Sequence, residues 1–184
     1  TRFDGLNILV LGGSQGARVF ADEFPQIFKK LKESKIKIKI YQQCHHSQND
    51  QLSQFYKKAQ IDFEIFNFTS KIIDYYSKSN LVITRSGASV LGELINFKIP
   101  FISIPLPTSA DNHQYKNAVF YTKRGYGNFL EEKDIKNKLY DLIVSTFDDK
   151  SILSSILLKQ QQHSDKDIFK NLYSQIEKIC NEKN

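Results

Sequence analysis

Leu9-Val10-Leu11-Gly12-Gly13-Ser14-Gln15-Gly16-Ala17 is a short apolar run closed by glycines. A helix-length stretch follows, from about Ala17 to Lys32, with Phe20, Phe24, Ile27, Phe28 and Leu31 on one face. A buried strand, a tight glycine turn and an amphipathic helix make the opening unit of an α/β domain. Glycines here allow close backbone approach, and the helix start offers unpaired N–H groups to an anion. Two familiar phosphate loops do not fit. The P-loop requires a Gly-Lys-Ser/Thr ending, and here Arg18 follows Ala17. The dinucleotide fingerprint requires an acid at the end of the second strand, where this chain reads Tyr41-Gln42-Gln43. NAD binding is therefore disfavoured.

Outward from that unit, strand-like and helix-like segments alternate. Ile36, Ile38 and Ile40 alternate with lysines, Ile61–Phe66 reads as a third strand, and Leu81–Thr84 is brief and wholly apolar, as buried parallel strands are. Pro100–Ile104 and Asn128–Leu130 complete the strands. Helices are expected over Gln51–Ala59, Ser70–Lys78, Gly87–Phe97 and Asn112–Lys123, then through a tail from Glu132 to Cys180 with breaks near Asp148 and Ser164. The pattern predicts one Rossmann-like parallel sheet flanked by helices over residues 1–184, with residues 1–6 as a linker remnant and 132–184 as a helical tail. In such sheets ligands bind beyond the carboxyl ends of the strands, where strand order reverses.

Two further loops fall at strand ends. Thr84-Arg85-Ser86-Gly87-Ala88-Ser89-Val90-Leu91-Gly92-Glu93 again follows a strand and opens a helix. Its small residues suit close approach of a diphosphate to the backbone amides. Glu93, about two turns in, suits a ribose diol. Pro105-Leu106-Pro107 leads through Asp111-Asn112-His113-Gln114 to Asn117. Gln114 and Asn117 are i, i+3 neighbours whose amides both donate and accept, as sugar hydroxyls require. His113 has no partner in sequence that makes it a base. These strand-end loops carry no Asp-x-Asp motif, Ser/His/Asp set or metal-ligand cluster, so no metal and no cofactor is expected. Activation of a diphosphate would rest on backbone dipoles, with Arg85 as a further candidate.

Composition narrows the function classes. The 184 residues suffice for one sizeable core. The formal charge is +6, yet of 26 basic residues only Arg2, Arg18, Arg85 and Arg124 are arginine. The lysines are scattered, which argues against a nucleic-acid surface. Cys44 and Cys180 match no metal or redox spacing and read as cytosolic thiols. The chain opens on Thr1 and contains no methionine, which predicts a piece of a longer polypeptide.

The three loops, in this order and spacing, resemble the MurG family, the UDP-N-acetylglucosamine:N-acetylmuramyl-(pentapeptide) pyrophosphoryl-undecaprenol N-acetylglucosamine transferases. Phe68 to Tyr76 also resembles the family's uracil-pocket segment, and the match runs from about Leu6 to Leu130. The resemblance implies the C-terminal, donor-binding half of a GT-B glycosyltransferase. It implies that Ser14 and Gln15, with the amides from Gly87 and Ala88 through Ser89, Val90 and Leu91 to Gly92, hold the diphosphate beside Arg85. Thr69 would read uracil, Glu93 would hold the ribose, and Gln114 and Asn117 would contact N-acetylglucosamine. The implied reaction is inverting and metal-independent, converting lipid I to lipid II on the cytoplasmic face of the bacterial membrane. The acceptor domain, which supplies the general base and most of the membrane contact, would be the absent N-terminal half. The family's second strand commonly ends His-Gln-Thr-Gly-like, and this chain departs from that with Tyr41-Gln42-Gln43-Cys44. The alternatives are the donor domain, or a separate donor subunit, of another GT-B transferase such as a glycolipid synthase, and an epimerase-like enzyme or nucleotide-binding regulator. The last class requires an acid/base pair that the sequence does not show.

Overall fold

The computed structural model describes residues 5–13 and 16–163. Ser14, Gln15 and the helix expected over 165–180 lie outside the described residues. The described elements alternate as expected. They are β1 (Leu6–Leu11), α1 (Arg18–Glu33), β2 (Ile38–Gln43), α2 (Asn49–Lys58), β3 (Asp62–Phe66), α3 (Ile72–Lys78), β4 (Leu81–Thr84), α4 (Ala88–Asn96), β5 (Phe101–Ser103), α5 (His113–Lys123), β6 (Asn128–Phe129), α6 (Ile135–Asp148) and α7 (Lys150–Gln162).

All six strands are parallel, in the order β3-β2-β1-β4-β5-β6. From β1 the chain winds outward through β2 and β3, then returns to lay β4, β5 and β6 on the other side. This is the doubly wound order, and its reversal falls between β1 and β4. The glycine loop follows one of these strands and the Arg85 loop follows the other.

Strand periodicity divides the core into two layers. Leu6, Ile8 and Val10 of β1 pack with Phe20, Phe24, Phe28 and Leu31 of α1 and with Leu139 and Ile143 of α6. Leu9 and Leu11 point the opposite way, to Tyr76, Leu91, Leu94 and Ile95 of α3 and α4. Phe20 and Phe24 stack at 4.5 Å, and each such fully buried ring contributes about 1.5–3 kcal/mol by burial. At the edge, β3 exposes Asp62 and Glu64, and Lys39 pairs with Asp62 at 3.1 Å. Charges of this kind blunt an edge strand against pairing with other chains.

Local chemistry shifts a few boundaries. The helix expected from Ser70 begins at Ile72, because the Thr69 hydroxyl takes the Lys71 N–H at 3.0 Å and Lys71 holds a non-helical backbone. The break expected near Asp148 is the start of α7, where the Asp149 carboxylate accepts from the Ser151 and Ile152 amides. The Ser151 hydroxyl, which also donates to this carboxylate at 2.6 Å, and then these amides hold its pKa below the usual carboxylate value. The buried Gln160 amide near the end of α7 donates to the Ile99 and Tyr126 carbonyls, locking the helix beneath β5. Among the described residues no helix is long and apolar enough to cross a membrane.

Candidate functional site

The site is built on the carboxyl ends of β1, β4 and β5, with β3 contributing from the side. After β1, Gly13 and Gly16 both take positive φ (85° and 65°), and the Gly16 amide closes a turn onto the Gly13 carbonyl at 3.0 Å. A side chain at Gly16 would place its Cβ 2.7 Å from the His45 amide nitrogen, so both backbone angle and space demand glycine there.

After β4, Gly87 precedes α4 with extended backbone, and no side chain caps the helix. Its first turn contains no acid, and Ala88 and Ser89 are exposed. The leading N–H groups of α4 therefore face solvent with the positive end of the helix dipole behind them, as an anion site requires. Glu93 stands further along α4, exposed, with one oxygen accepting from the Tyr76 hydroxyl at 2.8 Å.

After β5, Pro105 to Asn112 loops back to α5, and Asp111 and Asn112 are held at φ 48° and 55°. Asp and Asn tolerate this left-handed region better than other non-glycine residues. Gln114 and Asn117 then reach across to the β4 loop. The Gln114 side-chain carbonyl accepts from the Ser86 amide at 3.2 Å and the Leu106 amide at 2.9 Å, and the Asn117 amide donates to the Ser86 carbonyl at 3.0 Å. Two loops from neighbouring strands are thereby stapled to one helix. The other ends of these amides, the Gln114 nitrogen and the Asn117 oxygen, are not used in these bonds.

Arg85 departs from expectation. It is 9% exposed, and its guanidinium pairs with Glu132 at 2.6 Å, donates to the Ile104 and Pro105 carbonyls and lies 4.6 Å from the Phe20 ring centre. With these partners it ties the β4 loop to the exit of β5 and to α1 from within the fold, rather than offering a free cation to a diphosphate. Ser86 is the residue that the sequence reading passed over. Fully buried, it gives both backbone groups to the α5 amides, and its hydroxyl has no partner among the described residues. Its position between Arg85 and Gly87 was the available signal.

Thr69 lies on the loop after β3 beside Phe68, which is 87% exposed. Asn67 ties this loop to the end of β2 by donating to the Cys44 carbonyl at 2.9 Å. Gln42, in the strand whose ending departs from the family pattern, is buried and accepts from the Tyr56 hydroxyl. Burial pushes the Cys44 thiol up to about 11, and it donates to the Asn49 side chain, so it is a structural thiol rather than a nucleophile. His113 contacts the Ala110 carbonyl at 2.7 Å. A cavity of about 480 Å³ lies at the opposite, N-terminal edge of the sheet, lined by Leu6, Leu81, Phe97, Ile99 and Phe147 among others. It lies away from the strand-end loops, although Tyr76, the partner of Glu93, is among its lining residues.

The glycosyltransferase family 28 C-terminal domain matches residues 7–172. The chain belongs to this family. Family 28 relatives agree with the MurG resemblance read from the motifs. The UDP-N-acetylglucosamine--N-acetylmuramyl-(pentapeptide) pyrophosphoryl-undecaprenol N-acetylglucosamine transferase of Pelagibacter ubique (strain HTCC1062) is 36% identical over 183 residues, 97% of this chain and 50% of the relative. The transferase of the same description from Rickettsia bellii (strain RML369-C) is 34% identical over 92% of this chain and 49% of its own length. Among solved structures, Acinetobacter baumannii MurG superposes with a TM-score of 0.77 at 25% identity, covering 89% of this chain and 47% of that one. The chain thus spans about half the length of the curated relatives it matches.

Proposed function

We propose that this chain is the donor-binding domain of a glycosyltransferase that moves N-acetylglucosamine from its UDP donor to lipid I, forming lipid II for peptidoglycan. The observation that carries the reading is the convergence at the β1/β4 reversal. The uncapped N-terminus of α4, the Glu93 carboxylate and the Gln114–Asn117 amides stand side by side, as diphosphate, ribose and sugar do in one nucleotide-sugar. Ser14 and Gln15 belong to the same reading as diphosphate contacts, and the backbone at Thr69 as the reader of uracil. The leading amides of α4, from Ala88 to Val90, meet charge that grows on the leaving diphosphate, while the Leu91 amide is taken by the Gly87 carbonyl, so the helix end stabilises departure of UDP without a metal. The general base and the lipid acceptor are assigned to the N-terminal half that the relatives possess, so this chain alone is expected to bind donor without transferring it. Service at the cytoplasmic face of the membrane, and through peptidoglycan in cell shape and division, belongs to the same proposal.

The test is calorimetric titration of the chain with UDP-N-acetylglucosamine, UDP-glucose and NAD in metal-free buffer. The expected result is binding of both UDP-sugars, tighter for the N-acetyl sugar, with no NAD binding. Glu93→Ala is expected to cost about 1.5–3 kcal/mol of binding, the usual worth of hydrogen bonds to a charged group. Preference for NAD, or UDP-sugar binding indifferent to Glu93, would overturn the reading.

A further inference from the structure

The Glu93 carboxylate is exposed on a chain with 26 basic residues, yet it makes no ion pair among the described residues. Its partner is a neutral donor, the Tyr76 hydroxyl, which meets one carboxylate oxygen at 2.8 Å. Tyr76 itself is 2% exposed, with its ring packed against Phe97 at 5.3 Å between centres. Burial, and then the bond to Glu93, push its pKa above the usual phenol value, so it stays a donor at neutral pH. A lysine here would compete with a ligand for the same oxygens and bring a flexible stem. A rigid, packed phenol fixes the carboxylate while leaving its charge intact. An ionised carboxylate offers about four acceptor positions. With one taken by Tyr76, enough remain for both hydroxyls of a ribose.

The bond also joins two parts of the site. Tyr76 lies on α3, whose entry is set by the Thr69 hydroxyl accepting the Lys71 amide, while Glu93 lies on α4. The loop assigned to the base and the acid assigned to the sugar ring are therefore held at a fixed spacing by one side chain.

We propose that Tyr76 is a positioning residue for nucleotide recognition, holding the Glu93 carboxylate in the orientation that accepts the 2′ and 3′ hydroxyls and so setting preference for ribo- over 2′-deoxyribonucleotides. The proposal rests on the assignment of Glu93 to the ribose made above. The experiment compares UDP with 2′-deoxy-UDP by calorimetry on the intact protein and on Glu93→Ala, Tyr76→Phe and Glu93→Asp. The unaltered protein is expected to favour UDP by about tenfold or more, the scale of one hydrogen bond to a charged group. Glu93→Ala is expected to abolish the preference. Tyr76→Phe keeps the ring and its packing, and is expected to narrow the preference to about threefold by weakening UDP while leaving 2′-deoxy-UDP nearly unchanged. Glu93→Asp, on the exposed face, draws the acid away from Tyr76 without touching the core and is expected to narrow it similarly. Unchanged preference in Glu93→Ala would remove the ribose assignment itself. Loss of preference in Glu93→Ala with full preference in Tyr76→Phe or Glu93→Asp would overturn the role of Tyr76 alone. Equal weakening of both nucleotides in Tyr76→Phe would likewise overturn it, reducing Tyr76 to a general support of the fold.

Discussion

Gln114 performs two jobs with two ends of one amide. Its carbonyl oxygen accepts from the Ser86 and Leu106 amides and holds two loops together, while its nitrogen, not used in these bonds, is the end assigned to the sugar. Gln114→Glu separates them, because a carboxylate keeps the acceptor and removes the donor. The expected outcome is a melting temperature near that of the unaltered protein with a reduced preference for UDP-N-acetylglucosamine over UDP, read by thermal unfolding and calorimetry on the same sample. A large loss of stability instead would show that the nitrogen, too, is structural. The amide chemistry that suits a sugar was legible in the sequence from residue type and i, i+3 spacing. The loop-stapling role was not, because it depends on Ser86 and Leu106, which approach Gln114 only once β4 and β5 are paired. Arg85 is the counterpart case. Its position after a strand suggested a free cation, and nothing local to it in sequence announces Glu132, Phe20 or the two carbonyls that claim it.

At the scale of elements, the strands and helices were legible because apolar period and glycine or proline punctuation agree along the chain. Leu81–Thr84 read as a buried strand and is one, and the break near Asp148 is marked by the residue type that caps α7. Less legible were the left-handed Asp111 and Asn112 and the short 3-10 turns at His46–Gln48 and Ala110–Asn112, which single residues decide without any period. How elements are joined is also invisible to period, and Arg85 shows the consequence. Its side chain and that of Glu132 are 11% and 26% exposed, and their pair links the β4 loop to the turn that opens α6. Removing Arg85 leaves the half-buried Glu132 charge unpaired and two carbonyls without their donor, a loss of about 3–5 kcal/mol. Arg85→Ala is therefore expected to lower the denaturant midpoint sharply. Replacing Arg85 and Glu132 together by apolar residues of similar volume is expected to recover most of the loss, since the desolvation cost then vanishes with the charges. If the double replacement is as unstable as the single one, the bonds to Ile104 and Pro105 carry the stability and the ion pair does not.

For the whole molecule, the buried acids decide how the fold responds to alkali. Burial lifts the Cys44 thiol from 9.0 to about 11, and burial with the Glu64 bond lifts the Tyr75 phenol from 10.0 to about 12. Tyr41, Tyr56 and Tyr76 are raised above 10.0 as well, chiefly by burial. In the unfolded chain these groups return to their ordinary values. Between the ordinary and the folded values the unfolded chain therefore binds fewer protons, and stability falls as pH rises. Their contribution is complete below about pH 9 and is lost progressively above it. Lys39, raised mainly by its hydrogen bond to Asp62, adds a loss of the same sign at higher pH. Net charge works the other way at first. The chain carries +6 at pH 7, and self-repulsion eases as the pH approaches the isoelectric point near 9.1. The two effects together give a melting temperature that is level or rises slightly from pH 7 to about 9, then declines steadily toward pH 12. Thermal unfolding across that range checks it. A melting temperature that holds level to pH 11 would mean that these side chains are open to solvent, and with them the packing of Tyr76 under Glu93 on which the nucleotide site is built.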